Sequence, residues 1–286
     1  MNARTGGLTV VTMLAFAANS LLCRAALDGG DADATSFTSL RLIGGAIVLV
    51  PLARVRGRAR PRSGSWLSAA ALFAYALGFS LAYLSIPAGT GALILFGAVQ
   101  LTMVGSGLRA GERPTAREWV GLVLSFAGLV ALTRPGLSQP DPIGAGLMFA
   151  AGVAWGVYSL RGRGGGDPLA QNASNFARSV PMALFVSGAA LAVVSPRLTT
   201  EGALLALASG GLASGLGYTV WYAALRGLSA TRAAVVQLSV PPLTAAGGVV
   251  LLGEHVTLRL VLAGLMILGG IALAISARSG PRSSPH

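Results

Sequence analysis

Residues 83–121 read YLSIPAGTGALILFGAVQLTMVGSGLRAGERPTAREWVG, and residues 222–264 read YAALRGLSATRAAVVQLSVPPLTAAGGVVLLGEHVTLRLVLAG. Each stretch has a tyrosine closing one apolar run, a short break with Ala, Ser or Thr, and a second long apolar run. Each then carries a Gly-Glu pair (Gly111-Glu112 and Gly253-Glu254), a polar turn, and a third apolar run. Self-similarity on this scale decides the architecture before any single residue does. Working outward, Phe16 to Leu21 (FAANSL) lines up with Trp155 to Leu160 (WGVYSL), so the first apolar run has its own counterpart. That run is therefore expected to stay as a helix and not to be cleaved as a signal peptide.

Composition places these runs in a bilayer. Only 10% of residues are charged and 53% are hydrophobic, against roughly 25% charged in soluble domains, and mean hydropathy is +0.71. The 40 glycines and 14 prolines suit membrane helices better than soluble ones. Ten apolar runs are long enough to span, near 7–23, 35–53, 66–85, 88–108, 118–134, 142–160, 172–194, 203–225, 230–252 and 258–276. The expected fold is an all-α integral membrane protein of ten transmembrane helices, divided into repeats at 1–136 and 137–286.

All 21 basic residues are arginine. With the N-terminus inside, the inner segments hold Arg4, the cluster Arg54 to Arg62, and the pairs or triplets near 109–117, 161–163, 226–232 and 278–282. The outer ones hold only Arg24, Arg134, Arg197 and Arg259. This asymmetry reads as topogenic charge with both termini cytoplasmic, and not as a nucleic-acid surface. Five helices per repeat is an odd number, so the second repeat enters the membrane inverted. Inverted repeats put a substrate site near the midplane, between the halves, and suit alternating access.

Intramembrane polar residues are the candidates for function. Arg41 and Arg178 fall at matching places in the two repeats, without a carboxylate deep in any span; each reads either as an anion-attracting group or as a side chain snorkelling to headgroups. Tyr75, Phe79 and Tyr83 share one helix face at i, i+4, i+8, matched by Tyr218 and Tyr222. Trp155 and Tyr158 lie opposite Phe16 and Asn19, and Gln100 and Gln237 offer amides. A cavity lined by Asn19, Phe79, Tyr83, Gln100, Trp155, Tyr158, Tyr218, Tyr222 and Gln237 would suit a small amphipathic solute; the alternative for Tyr83 and Tyr222 is an interfacial belt. Pro241-Pro242 is expected to bend the ninth helix at its middle. Glu112 and Glu254 read as caps on free backbone N–H groups. Cys23 is the only cysteine, so neither an internal disulfide nor a thiolate metal cluster is available. No metal, cofactor or catalytic constellation is expected.

The repeat, the spans and the Gly-Glu turns resemble the drug/metabolite transporter superfamily, specifically its EamA-like members. The most specific pieces are LRAGERPTAREWVGLVLSFAGL and LLGEHVTLRLVLAGLMILGG, with the Asn19 end of the first helix and Arg41 in the second. The resemblance implies two inverted five-helix bundles, a central cavity, and movement of small metabolites such as amino acids, often outward. Gln100 departs from the Pro-containing step frequent at that place in the family, whereas Pro241 and Pro242 are kept. The expected function is export of small organic metabolites across the inner membrane, with an importer or exchanger of the same solutes as the alternative. A lipid-modifying enzyme is a distant third. Oligomeric state stays open.

Overall fold

A computed structural model describes residues 3–58, 63–109, 115–133, 140–162, 166–192, 195–225, 236–237 and 239–276. Glu112 and its turn, the stretch 226–235 with the expected start of the ninth helix at 230, and His286 lie outside the described residues. Among those described the chain is helical: α1 (Ala3–Asp28), α2 (Ala34–Val55), α3 (Trp66–Ala82), α4 (Ala88–Arg109), α5 (Ala116–Thr133), α6 (Pro142–Gly162) and α7 (Pro168–Ala190). Then come α8 (Thr200–Leu225), α9 (Val240–Leu252) and α10 (Leu258–Ser276). Helices α1, α2, α6 and α8 are each long and apolar enough to cross a membrane by length and composition. Hydrocarbon offers no partner to a bare N–H or C=O, which is why apolar chain of this kind is helical throughout.

The helix starts are written in the sequence. Asp33 accepts from the N–H groups of Thr35 and Ser36 ahead of α2, and Ser65 accepts from Ser68 N–H ahead of α3. Asp167, followed by Pro168, caps α7, and Thr199 caps α8. These are side chains that satisfy otherwise orphaned donors, each contributing about 1 kcal/mol. Pro241 and Pro242 depart from expectation. They occupy the first turn of α9 and not the middle of a helix, a place where the missing N–H would have been unpaired anyway. Gly253 ends α9 at φ 67°, the left-handed conformation that glycine adopts without strain.

Contacts between the halves come in matched pairs. Helix α2 packs on α7 and α5 on α10; α3 on α6 is mirrored by α1 on α8; α4 on α6 by α1 on α9; and α3 on α7 by α2 on α8. Small residues allow these approaches. Gly152 and Gly156 of α6 face Leu95, Ala98 and Thr102 of α4, while Gly211 and Gly215 of α8 face Val48 and Leu49 of α2. Both motifs thus serve packing within the fold.

The least expected local feature is in α8. Ser209–Leu216 (SGGLASGL) is a π-helical segment with ordinary α-helix on both sides. Gly210 lies so close to α2 that a Cβ there would run into the Arg41 carbonyl. The chain widens where it has almost no side-chain bulk and touches a neighbouring backbone.

Candidate functional site

Five helices send side chains to one point in the core. Phe16 and Asn19 come from α1, Tyr75 and Phe79 from α3, Phe96 from α4, Trp155 from α6 and Tyr218 from α8; together with Ser20 and Leu95 they line a cavity of about 10 Å3. That is room for about one water and far below a ligand-sized pocket. Phe16 is the hub. Its ring meets Trp155, Tyr218 and Trp221 edge-on at 5.8, 5.9 and 5.8 Å. Trp155 in turn lies 4.5 Å from Tyr218 and 5.0 Å from Tyr75. Such ring pairs add about 0.5–1.5 kcal/mol each beyond area burial, so the closed cavity is a well-packed one.

One wall is polar. Arg41, 1% exposed, donates from Nη2 to the hydroxyls of Tyr75 (3.0 Å) and Tyr218 (3.1 Å) and from Nε to Ser214 Oγ (3.2 Å). Its guanidinium carbon sits 5.1 and 5.0 Å from the ring centres of Tyr75 and Phe79. Asn19 Nδ2 donates to Tyr75 Oη at 3.1 Å, and Asn19 Oδ1 accepts from Ser209 (2.8 Å) and Ser214 (3.1 Å). Serines five apart point to different faces of an α-helix. The i→i+5 winding of the π segment brings both onto Asn19. Among the described residues Arg41 makes no ion pair and its Nη1 has no hydrogen-bond partner.

Of the residues singled out from sequence, Asn19, Phe79, Trp155 and Tyr218 line the cavity, and Arg41 stands directly behind the tyrosine hydroxyls. Tyr83 is fully buried at the far side of Phe79, 4.7 Å ring to ring, with its hydroxyl on the Ala88 carbonyl. Tyr222 is 8% exposed and packs beside Gly162. Both rings are packed against protein and not exposed on the outer surface of the bundle. Tyr158 stacks behind Trp155 and donates to Asn172 Oδ1 at 2.6 Å. Gln100 and Gln237 are buried away from the cavity. Arg178 does not match Arg41: it is half-buried, donates to the Ser63 carbonyl and Ser174 Oγ, and lies over Trp66. Arg41 does not snorkel, since its guanidinium turns inward to Tyr75 and Tyr218. Phe16, Tyr75, Phe96, Ser209 and Ser214 complete the site. The i, i+4 step of Tyr75 and Phe79 points to the first pair of rings, but α-helical periodicity hides the two serines.

Both ends of the bundle are tied. At one end Glu254, beyond α9, accepts the Ala88 N–H at the start of α4 with both oxygens (2.8 and 3.0 Å) and pairs with Arg24 of α1 at 3.4 Å. Arg24 also reaches the Tyr83 carbonyl and Asp28, each at 2.8 Å. Glu254 is thus a cap, as expected, but of a helix in the other half. Asp33 lies at this end too. Burial raises its pKa, yet hydrogen bonds from Ser36, Thr35 and the Arg197 N–H outweigh that and hold the carboxyl at about 2. At the opposite end Arg58 pairs with Asp167 at 3.0 Å and Asn175 Oδ1 accepts from Ser65 N–H.

The profile of the EamA-like transporter family matches residues 6–134 and again residues 142–276. The chain belongs to this family. As an EamA-like protein it is a multi-pass membrane transporter. It is 53% identical over 280 residues to an uncharacterized protein of Pseudomonas aeruginosa, covering 97% of this chain and 96% of that one. An uncharacterized transporter of Archaeoglobus fulgidus is 29% identical over 288 residues, covering 96% and 98%. A crystal structure at 20% identity superposes with a TM-score of 0.68 over 97% of this EamA-like chain and 99% of the other, which bears on the fold alone.

Proposed function

We propose that this EamA-like transporter is an alternating-access exporter of small organic metabolites, amino acids or other aromatic and amphipathic compounds among them, in the cytoplasmic membrane. The observation that carries this reading is the aromatic cavity enclosed between the two halves and tied shut at both ends. The matched helix contacts support two inverted five-helix repeats, 1–136 and 137–286, each with the same partners in the other. The buried core runs through both ends, and the hydrogen bonds and ion pairs added there are contacts that can break and re-form as the ends open alternately. The arginine asymmetry supports cytoplasmic termini, which puts the Arg24–Glu254 tie outside and Arg58–Asp167 inside. Among the described residues no Asp, Glu or His lines the cavity, so the reading is facilitated movement and not proton exchange through a buried carboxylate.

The test is counterflow in proteoliposomes preloaded with a mixed metabolite pool, with and without a pH gradient. Saturable exchange that Trp155→Ala and Tyr218→Ala each lower at least tenfold is the expected result. Exchange indifferent to both substitutions would move the site elsewhere, and exchange that needs the gradient would refute facilitated movement. An importer or exchanger of the same solutes is the competing reading, separated from export by the sidedness of loading.

A further inference from the structure

From the hydrogen-bond inventory of the Arg41 cluster we infer that the site selects solutes with a net negative charge, of the carboxylate-plus-apolar-body class, over zwitterions and cations of the same shape. This rests on the proposed transport reading and the same cavity, and narrows that reading from amino acids to its amphipathic anions.

Donors outnumber acceptors in the cluster. Asn19 Oδ1 already accepts from Ser209 and Ser214, and Ser214 Oγ accepts from Arg41 Nε. Tyr75 Oη lies within reach of three donors, Asn19 Nδ2, Arg41 Nη2 and the Tyr218 hydroxyl at 3.2 Å, and its two lone pairs can serve only two of them. Donors of this wall therefore compete for too few acceptors, and among the described residues Arg41 Nη1 has no partner at all. The group that would satisfy this wall accepts hydrogen bonds and donates none, as an ionised carboxylate does.

Charge gives the same answer. Arg41 is buried with no carboxylate paired to it among the described residues, and a buried charge seeks a counter-charge. A monoanion compensates it. The ammonium of a zwitterion would reinstate the imbalance, because among the described residues no acidic side chain lines the cavity. The two ring faces nearest the cation, Tyr75 and Phe79, already lie against Arg41 and are not free for an ammonium. The opposite wall of Phe16, Phe96 and Trp155 asks for an apolar body. Since the cavity holds about one water when closed, such a solute enters only as the bundle opens. Arg41 then acts as a positioning residue that polarises the tyrosine hydroxyls in contact with it.

The experiment compares 3-phenylpropionate, phenylalanine and phenethylamine, which share a phenyl body and differ in charge. Each is titrated against the purified wild-type chain by thermal shift in detergent and, separately, by counterflow in proteoliposomes. The expected result is stabilisation at tenfold or more lower concentration by the anion than by either of the others. Arg41→Gln should erase the preference and Arg41→Lys should keep most of it. If Arg41→Gln fails to fold, the wild-type comparison decides alone. Equal or stronger stabilisation by phenylalanine or phenethylamine overturns the inference, as does the absence of any shift with the anion. Anion binding without counterflow would overturn transport and leave the charge preference standing.

Discussion

Replacing Glu254 by glutamine loosens one end of the bundle without removing bulk. The carboxylate makes two contacts to the Ala88 N–H and one to Arg24, with both side chains only 12% exposed. Glutamine keeps one acceptor for Ala88 and loses the charge. The loss is that of one charge-assisted hydrogen bond, about 1.5 kcal/mol, which converts to roughly a tenfold larger open fraction. The chain supplies its own reporter. Cys23 is its only cysteine, adjoins Arg24, and is 0% exposed with its Sγ 3.9 Å from Ser80 Oγ. Alkylation by N-ethylmaleimide should therefore be slow in the wild type and about tenfold faster in Glu254→Gln. Arg58→Ala breaks the tie at the other end, where the arginine is 60% exposed. An exposed pair contributes about 0–1 kcal/mol, and its loss should change Cys23 labelling by less than about fivefold. An unchanged rate in Glu254→Gln, or an equal rise in Arg58→Ala, would refute the idea that the Glu254 cluster gates the thiol.

Further outcomes are expected elsewhere. Gly210→Ala would set a Cβ against the Arg41 carbonyl, whereas Gly188→Ala meets nothing within 4 Å. The first should lower the melting temperature in detergent and the monodisperse yield, at an overpacking cost of about 1–3 kcal/mol, and the second should not. Asp33 has a folded pKa of about 2, below its unfolded value of about 3.9, so its stabilisation is complete above pH 4 and drains as pH falls towards 2. Solvent screens part of it, leaving about 1 kcal/mol as expected of a cap. Melting curves between pH 5 and 3 should show a slope that Asp33→Asn flattens. Ser214→Ala, which strips a partner from both Arg41 Nε and Asn19 Oδ1, should destabilise more than Ser187→Ala, whose contacts with Ser39 and the Thr35 carbonyl are only part-buried.

Much of the site is visible in sequence because it obeys helical spacing. Tyr75 and Phe79 are four apart on α3, Phe16 and Asn19 three apart on α1, and Trp155 aligns with Phe16 across the repeat. Such patterns survive into three dimensions when the helix is regular. They fail where it is not. The segment SGGLASGL carries glycine enough to suggest close packing, but not the change of winding that aims Ser209 and Ser214 at one amide. The arginines show a second limit. Arg41 and Arg178 look equivalent by position, yet one finds hydroxyl partners in the core and the other a carbonyl at the rim. Repeat symmetry predicts where a helix goes and not what its neighbours have kept for it. Pro241-Pro242 likewise marks the start of a helix, a place where a missing N–H is tolerated as it is at a bend.

Among the described residues Arg41 has no carboxylate partner, and the anion selectivity proposed for it carries a consequence for direction. A solute that crosses with one negative charge moves current, so the membrane voltage acts on it at about 2.3 kcal/mol per 100 mV. With the cell interior negative, that is a roughly fiftyfold accumulation on the outside, reached with no ion gradient spent. Arg41, by favouring the anion, would make the resting potential itself the motor of export.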